Sequence, residues 1–309
     1  MLNFFASRLP VVLLYHGVPH WDNDFVDGAT LERHIVFLKK HFDTVGSANE
    51  AILELPRGGK PTIMLTFDDG YRNNAVIAAP ILRRHGMRAT FFICKRHSQH
   101  GKYLWFSYLR ALENHFKGNG FKFHGEFIDM SIGWRRESIK RLRAHLLSLR
   151  PHPSAMYLEM ENYLPPIEDF VKDDDLKMNY AGLTEEQIAE LADDNLFSVQ
   201  AHTVDHPFLT SCRRDEALTQ IGENKKWLEA ITGKECSAIA YPSGDYDAVT
   251  IDLCKALGFK YGFAVVSKNL KNFPSYEMPR VGVFSKSLAV FAIKARFGHT
   301  IRKFGVPVG

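Results

Sequence analysis

The sequence predicts an α/β protein built around a parallel sheet or barrel. Short runs rich in β-branched and aromatic residues alternate with longer stretches of helical periodicity, which is the pattern of repeated βαβ units. The chain has 309 residues, of which 45% are hydrophobic, and this is enough to bury one large core. We therefore expect a single main domain over residues 1–309.

The predicted elements follow in order along the chain. Thr30 is placed to cap an early helix, and Thr184 with Gln187 forms a capping-box pattern at the start of a later one. Two further helices should end near Gly233 and Gly258, because glycine readily adopts the left-handed conformation of a helix end. The predicted strands are residues 11–15, 62–67, 89–94, 197–201, 237–241 and 260–265.

Residues 97–180 interrupt this alternation. They are rich in aromatic and basic residues and lack clear strands, so we predict a helical insertion. Within it, residues 134–150 place apolar side chains on one helix face and Arg and Lys on the other. This pattern favours a solvated basic face over a packed stripe; the alternative is a surface that meets anionic lipid or a phosphate-bearing substrate. The basic C-terminal segment, residues 287–309, has the same two interpretations.

The charge and the cysteine content indicate which partners and which cellular compartment to expect. The net charge is +4, and the basic residues are spread among 35 acidic ones rather than gathered into one block. Nucleic acid is therefore not an expected partner. The four cysteines form no CxxC pair and have no zinc-ligand spacing, which favours a reduced compartment. The apolar run at residues 10–15 is too short for a membrane span and lacks a cleavage site. We expect a cytoplasmic protein, and peripheral contact to the inner face of the membrane through its basic helices is the alternative interpretation of those helices.

Two adjacent carboxylates, Asp68 and Asp69, follow the predicted strand at residues 62–67. Barrels of this class carry their active sites at the carboxyl ends of the strands. Gly70 lets the backbone turn, so both carboxylates can face one cavity. Taken alone, Asp-Asp-Gly is also a common turn sequence.

Two histidines, His202 and His206, follow the predicted strand at residues 197–201. Imidazoles four positions apart can chelate one divalent ion, and Asp69 would complete a set of two histidines and one carboxylate. An isolated HxxxH pattern also occurs without a metal, but its position at a second strand end favours a metal site. Zinc is the default ion, and cobalt, nickel or manganese would support the same geometry.

The two motifs TFDDG at residues 66–70 and HTVDHP at residues 202–207 resemble those of the polysaccharide deacetylase family. This is a carbohydrate esterase family with the NodB-homology domain, and the resemblance extends over residues 11–283. It implies a distorted (β/α) barrel with fewer than eight regular strands, plus the helical insertion. It also implies that Asp68 is the general base and that Asp69, His202 and His206 hold the metal.

The third family motif is altered in this chain. Residues 240–246 read AYPSGDY, so Ala240 stands where the family has an Arg that orients the base. Arg280, immediately before a late strand, is our candidate for a substitute; a structural Arg paired with another carboxylate is the alternative. The backbone N–H near Ser243 is the expected oxyanion donor, as the turn is in relatives.

The general acid is predicted at His16. Residues 13–18, LLYHGV, resemble a permuted branch of the family, in which the strand with the catalytic His comes before the first motif. The alternative is a buried His fixed by a backbone carbonyl.

The resemblance implies hydrolysis of the N-acyl amide, acetyl or formyl, of an amino sugar. The expected location favours a nucleotide-linked or lipid-linked sugar, used to build surface polysaccharide or lipopolysaccharide. Tyr241, Tyr246 and Trp105 are candidates for sugar contact, although such aromatics are more often core residues. Two alternatives stay open: a hydrolase of a non-sugar amide on the same fold, and a non-catalytic glycan-binding relative.

Overall fold

The computed structural model describes residues 10–19, 25–53, 60–99, 101–268 and 274–303. The strands are β1 Val11–Tyr15, β2 Asp43–Val45, β3 Thr62–Phe67, β4 Ala89–Ile93, β5 Gly120–Phe123, β6 Glu126–Asp129, β7 Phe197–Ala201, β8 Ala238–Ala240, β9 Tyr261–Ala264 and β10 Met278–Gly282. The α-helices are α1 Gly28–His41, α2 Ala48–Leu53, α3 Ala79–His85, α4 Trp105–His115, α5 Arg135–Ser148, α6 Pro153–Tyr163, α7 Asp173–Asp175, α8 Glu185–Asp193, α9 Arg214–Thr232, α10 Ala248–Ala256 and α11 Leu288–Lys303.

Seven parallel strands form a closed ring in the order β1, β10, β9, β8, β7, β4, β3, and β1 pairs with β3 to close it. The short strand β2 extends the sheet beyond β3. The prediction of a distorted (β/α) barrel with fewer than eight regular strands in the ring is therefore confirmed. All strands of the ring are parallel, so their carboxyl ends share one rim of the barrel.

The strands bury both faces, which explains why they read as continuous apolar runs. Successive side chains on a strand point to opposite faces. In β3, Leu65 packs with the surrounding helices in the main core, whereas Met64 packs with Phe92 and Phe263 in a second cluster. Arg280 lies over the ring of Phe92, 5.5 Å from its centroid, and is therefore on the inner side of the barrel. Arg280 lies within β10, so the prediction that it immediately precedes a late strand is wrong.

The stretch from α4 to Tyr180 forms its own apolar cluster beside the barrel. It includes the antiparallel hairpin of β5 and β6, so the prediction that residues 97–180 lack strands is wrong. The hairpin turn is His124-Gly125, and both residues have positive φ, +48° and +82°. This is the conformation of the tight turns that match the twist of two antiparallel strands.

Helix α11 packs against α1, and the ring of Phe291 stacks on that of His34 at 3.7 Å. Residues 304–309 of the predicted basic tail lie outside the described residues. Within the described ranges, no helix combines the length and apolarity needed to cross a bilayer.

Candidate active site

The carboxylate pair sits where β3 reaches the rim. Asp68 continues the strand, since its N–H donates to the carbonyl of Tyr15 at 3.0 Å. Asp69 and Gly70 then both adopt φ of +74°. For Asp69 this left-handed conformation carries a conformational cost, which is typical of residues held for function. The sharp turn brings both carboxylates to the histidine side of the rim.

The two histidines come from the loop after β7. Thr203 and His206 also have positive φ, +69° and +51°, so the loop turns back over the rim. His202 Nε2 lies 3.3 Å and His206 Nε2 lies 3.5 Å from the same Oδ1 of Asp69. The ligand atoms of Asp69, His202 and His206 all lie within 4.8 Å of one another. The structure thus brings together the three residues that the sequence nominated as metal ligands.

A divalent cation fits this arrangement. Both carboxylate oxygens of Asp69 are buried and have no hydrogen-bond partner, which is costly unless another group compensates them. His202 Nδ1 lies 2.8 Å from the carbonyl of Ala240, so it donates its proton there and leaves the lone pair of Nε2 facing Asp69. One cation would satisfy the carboxylate and both imidazoles together.

Arg280 forms a two-point ion pair with Asp68. Its Nη1 and Nη2 donate to the two carboxylate oxygens at 2.6 and 2.7 Å. Both side chains are almost fully buried, so the charges are screened little by water. The planar guanidinium fixes the orientation of the carboxylate as a single hydrogen bond would not.

Burial and neighbouring charges act against each other in this cluster. Burial raises the pKa of Asp68, but Arg280, His202 and His16 outweigh it and hold that pKa below its usual value. The pKa of Asp69 is likewise lowered, because its histidine partners outweigh burial. Burial lowers the pKa of His206 to about 4, whereas Asp68 and Asp69 raise that of His202 against the effect of burial. Both carboxylates are therefore ionised at neutral pH.

His16 stands at the end of β1, near the carboxylates. Its ring lies between Phe25 and Phe284, with centroids 5.8 and 6.0 Å away. Asn74 Nδ2 donates to the His16 carbonyl at 2.9 Å and fixes this part of the loop. Burial lowers the pKa of His16, and Asp69 and Asp68 oppose that effect. The loop after β1 thus brings an imidazole into the field of both carboxylates.

The turn after β8 carries Ser243, whose role as oxyanion donor stays a prediction, and the two tyrosines named as sugar contacts. Ser243 is exposed and has φ of +56°, so its peptide is held in an unusual conformation at the rim. Tyr241 and Tyr246 are both 0% exposed and stack on each other at 4.7 Å. Their hydroxyls donate to the Tyr276 carbonyl and to Glu277. The prediction that these two tyrosines contact a sugar is wrong, because their rings belong to the core.

A cleft of about 480 Å³ lies beside the site. Phe25 and Phe284 connect it to His16, and Phe106 connects it to His206, whose ring it meets edge-on at 4.9 Å. Trp105 contributes to the wall, so its nomination as a sugar contact stays a prediction. The cleft is lined by Phe25, Trp105, Phe106, Leu109, Arg110, Glu113, Ile139, Arg143 and Phe284.

Sequence reasoning missed the residues that hold the histidine loop. Asp205 accepts hydrogen bonds from Arg96 Nε at 2.6 Å and from Gln220 Nε2 at 2.7 Å. Its N–H donates to Gln220 Oε1 at 2.8 Å. Asn224 accepts from the N–H of His202 at 3.0 Å. The position of Asp205 inside the histidine motif was a usable signal, whereas Gln220 and Asn224 on α9 had none.

The protein is a seven-stranded (β/α) barrel that carries two carboxylates and two histidines at one rim. The sequence profile of the family described as "Polysaccharide deacetylase" matches residues 56–142 and 159–262, more than half of the chain. The chain belongs to the polysaccharide deacetylase family. This family is generally metal-dependent.

A curated relative and several solved structures are similar to this chain. YxkH of Bacillus subtilis (strain 168), described as a polysaccharide deacetylase, is 22% identical over 259 residues, which are 83% of this chain and 64% of the relative. The chain thus spans less than two thirds of that relative. IcaB from Ammonifex degensii superposes with a TM-score of 0.60 at 16% identity, covering 94% of this chain and 97% of that one. The Streptococcus pyogenes deacetylase PplD superposes with a TM-score of 0.56 at 17% identity, covering 89% of this chain and 92% of that one. At these identities the structures show the fold alone.

Proposed function

We propose that the protein is a metal-dependent hydrolase of the N-acyl amide of an amino sugar. The observation that carries this proposal is the pairing of two differently held carboxylates at one rim. Asp68 is bound by Arg280, whereas Asp69 has two imidazoles and no hydrogen-bond donor on its oxygens. One carboxylate is thereby suited to proton transfer and the other to a cation.

The residues at the rim then have separate roles. Asp69, His202 and His206 would hold the ion, which when bound lowers the pKa of a water molecule and polarises the amide carbonyl. Asp68 accepts the proton of the attacking water, and Arg280 keeps that carboxylate ionised and oriented. The backbone N–H of Ser243 supplies a hydrogen bond to the negative charge that develops on the carbonyl oxygen.

His16 is the proposed general acid. An amine anion is too poor a leaving group to depart near neutral pH, so the nitrogen must be protonated as the C–N bond breaks. Burial lowers the pKa of His16, and the charges of Asp69 and Asp68 oppose this effect and favour the protonated imidazole that a proton donor requires. His16 follows β1, three strands around the ring from β7 and its histidine loop, and this position at the same rim suits a donor on the leaving-group side.

The cleft beside His16 and His206 is the proposed substrate site. Aromatic side chains can pack on a sugar face, and Arg110 and Arg143 add positive charge to the lining. These groups support an anionic carrier on the sugar, a nucleotide or a lipid phosphate, with the basic helices α5 and α11 near a membrane surface in the second case. A cytoplasmic location stays a prediction, as do zinc as the native metal and the choice between acetyl and formyl.

The test is NMR detection of released acetate or formate from a panel of N-acylated amino sugars, free, nucleotide-linked and lipid-linked. Zinc-loaded wild type is compared with Asp68→Asn and with Asp215→Asn, a matched change at an exposed position on α9. We expect release by the wild type and by Asp215→Asn but not by Asp68→Asn. Release by Asp68→Asn at the wild-type rate would overturn the assigned base. If the metal is bound and no sugar releases an acyl group, the proposed function is rejected. The alternatives are then hydrolysis of a non-sugar amide and glycan binding without catalysis.

A further inference from the structure

A second cluster of metal-ligating side chains lies in the stretch beside the barrel. His124 is in the turn of the β5–β6 hairpin, His145 is in α5 and Glu159 is in α6. His145 Nε2 lies 2.8 Å from Glu159 Oε1, and His124 Nε2 approaches the same oxygen. The three ligand atoms lie within 4.8 Å of one another, as do those of the active site. Three separate elements thus converge on one point.

We propose that His124, His145 and Glu159 form a second binding site for a divalent transition metal, distinct from the site at the barrel rim. Both Nε2 atoms converge on one oxygen of the carboxylate. Hydrogen bonds alone would be served as well by one imidazole on each oxygen, whereas a single ion requires its ligand atoms to meet at one point. Two imidazoles and a carboxylate suit zinc, and cobalt or nickel would follow, but not magnesium or calcium.

The surroundings of the cluster support the same assignment. The Glu159 side chain is 15% exposed, while those of His124 and His145 are 43% and 39% exposed. The carboxylate therefore forms the floor, and the imidazoles leave a path for an ion and room for water as a further ligand. The hairpin turn, in which His124 has φ of +48°, carries this imidazole to the cluster. The His124 ring also packs on Tyr163 at 4.0 Å, which limits its freedom.

An ion here would support the wall of the cleft. It would tie the hairpin to α5 and α6, and α5 also supplies Ile139 and Arg143 to the cleft lining. The site lies in the stretch beside the barrel and not at the rim that carries Asp68, so we assign it a structural role rather than a part in hydrolysis. A bound ion would then stabilise this stretch without changing the acid and base at the rim.

The experiment measures zinc bound per chain in tag-free, full-length protein, by equilibrium dialysis and elemental analysis. We expect two ions in the wild type, one in His124→Asn, one in Asp69→Asn and none in the double variant. Asn suits position 124 because it tolerates positive φ. Glu159→Gln gives a second, independent removal of the site and should also bind one ion.

The matched control is His85→Asn. His85 Nε2 lies 2.9 Å from Glu32 Oε1, and the second group on that oxygen is the guanidinium of Arg84 at 3.0 Å, which is not a metal ligand. This variant should keep both ions. Zinc should also raise the melting temperature of Asp69→Asn, and that rise should disappear in the double variant. Equal zinc content in wild type, His124→Asn and Glu159→Gln would overturn the proposal. A loss of zinc in His85→Asn as large as that in His124→Asn would also overturn it. Loss of zinc in Asp69→Asn alone would support the rim site while rejecting this one.

Discussion

Arg280 in β10 donates both terminal nitrogens of its guanidinium to the carboxylate of Asp68 at the end of β3, at 2.6 and 2.7 Å. The two residues are 212 positions apart and meet because β1 alone separates their strands in the ring. By its resemblance to the family motif, the segment at residues 240–246 has Ala240 where an Arg is expected. A cation from another strand therefore reaches the carboxylate that we assign as the base.

The first prediction concerns this pair. Arg280→Gln should raise the pKa of Asp68, because it removes the main charge that lowers it while burial remains. A base works only when ionised, so the acidic limb of the pH–rate profile should move to higher pH. Arg280→Lys keeps the charge but not the two-point geometry. It should retain the position of the limb with a kcat lowered by about ten-fold or more.

The same variants give a stability measurement. Breaking a buried ion pair from one side costs about 3–5 kcal/mol in the free energy of unfolding, because a buried charge is left without its partner. Urea unfolding of Arg280→Gln should show that loss. An unchanged acidic limb together with wild-type stability would contradict the role that we give to Arg280.

Local signals accounted for six of the seven strands in the ring and for the candidate ligands. Asp68 and Asp69 are adjacent in sequence, and His202 and His206 are four residues apart, so each half of the cluster was visible as a motif after an apolar run. The convergence of the two halves followed from a general property of parallel barrels, whose strand ends share one rim. Arg280 could be proposed only as a nearby cation, because its partner depends on the order of strands around the ring.

Other features depended on contacts that no local pattern records. The strands β5 and β6 are four residues each and lie in a stretch rich in helices, although the His-Gly turn between alternating residues was a usable signal. Tyr241 and Tyr246 were misjudged because stacking with each other and bonding to the chain near Tyr276 buries them. The cluster at His124 brings together a turn and two helices, so it could be recognised only in three dimensions.

The second prediction separates the general acid from a structural histidine. His16→Gln should lower kcat/KM for an N-acetyl amide by about 10²–10⁴, the usual contribution of a positioned acid. For 4-nitrophenyl acetate the loss should be less than about ten-fold, since the phenolate leaves without protonation. Parallel assays of the two substrates make the comparison. An equal loss on both would show that His16 supports the fold or the metal rather than the leaving group.

The third prediction concerns the support of the histidine loop. Asp205→Asn removes the charge paired with Arg96 and one of the acceptors that hold the loop to Gln220. Zinc affinity at the rim should fall by about 10- to 100-fold, as is usual when a group that orients a ligand is changed. Competition with a fluorescent chelator in the His124→Asn background would count the rim ion alone. Asp215→Asn is the matched control. If Asp205→Asn binds zinc as tightly as Asp215→Asn does, Asp205 does not support the histidine loop.

The fourth prediction is a pH-dependent stability set by His34. This imidazole is buried between Phe291 and the Tyr15 hydroxyl, and burial lowers its pKa from 6.5 to about 4. Between these values the unfolded chain binds a proton that the folded chain does not, so the free energy of unfolding falls as pH falls from 6.5 to 4. The contribution of His34 over that window is on the order of 3 kcal/mol. Urea unfolding at several pH values should therefore show a shallower dependence in His34→Gln than in the wild type. Identical slopes in the two proteins would mean that the His34 ring takes up a proton without leaving its place against Phe291 of α11.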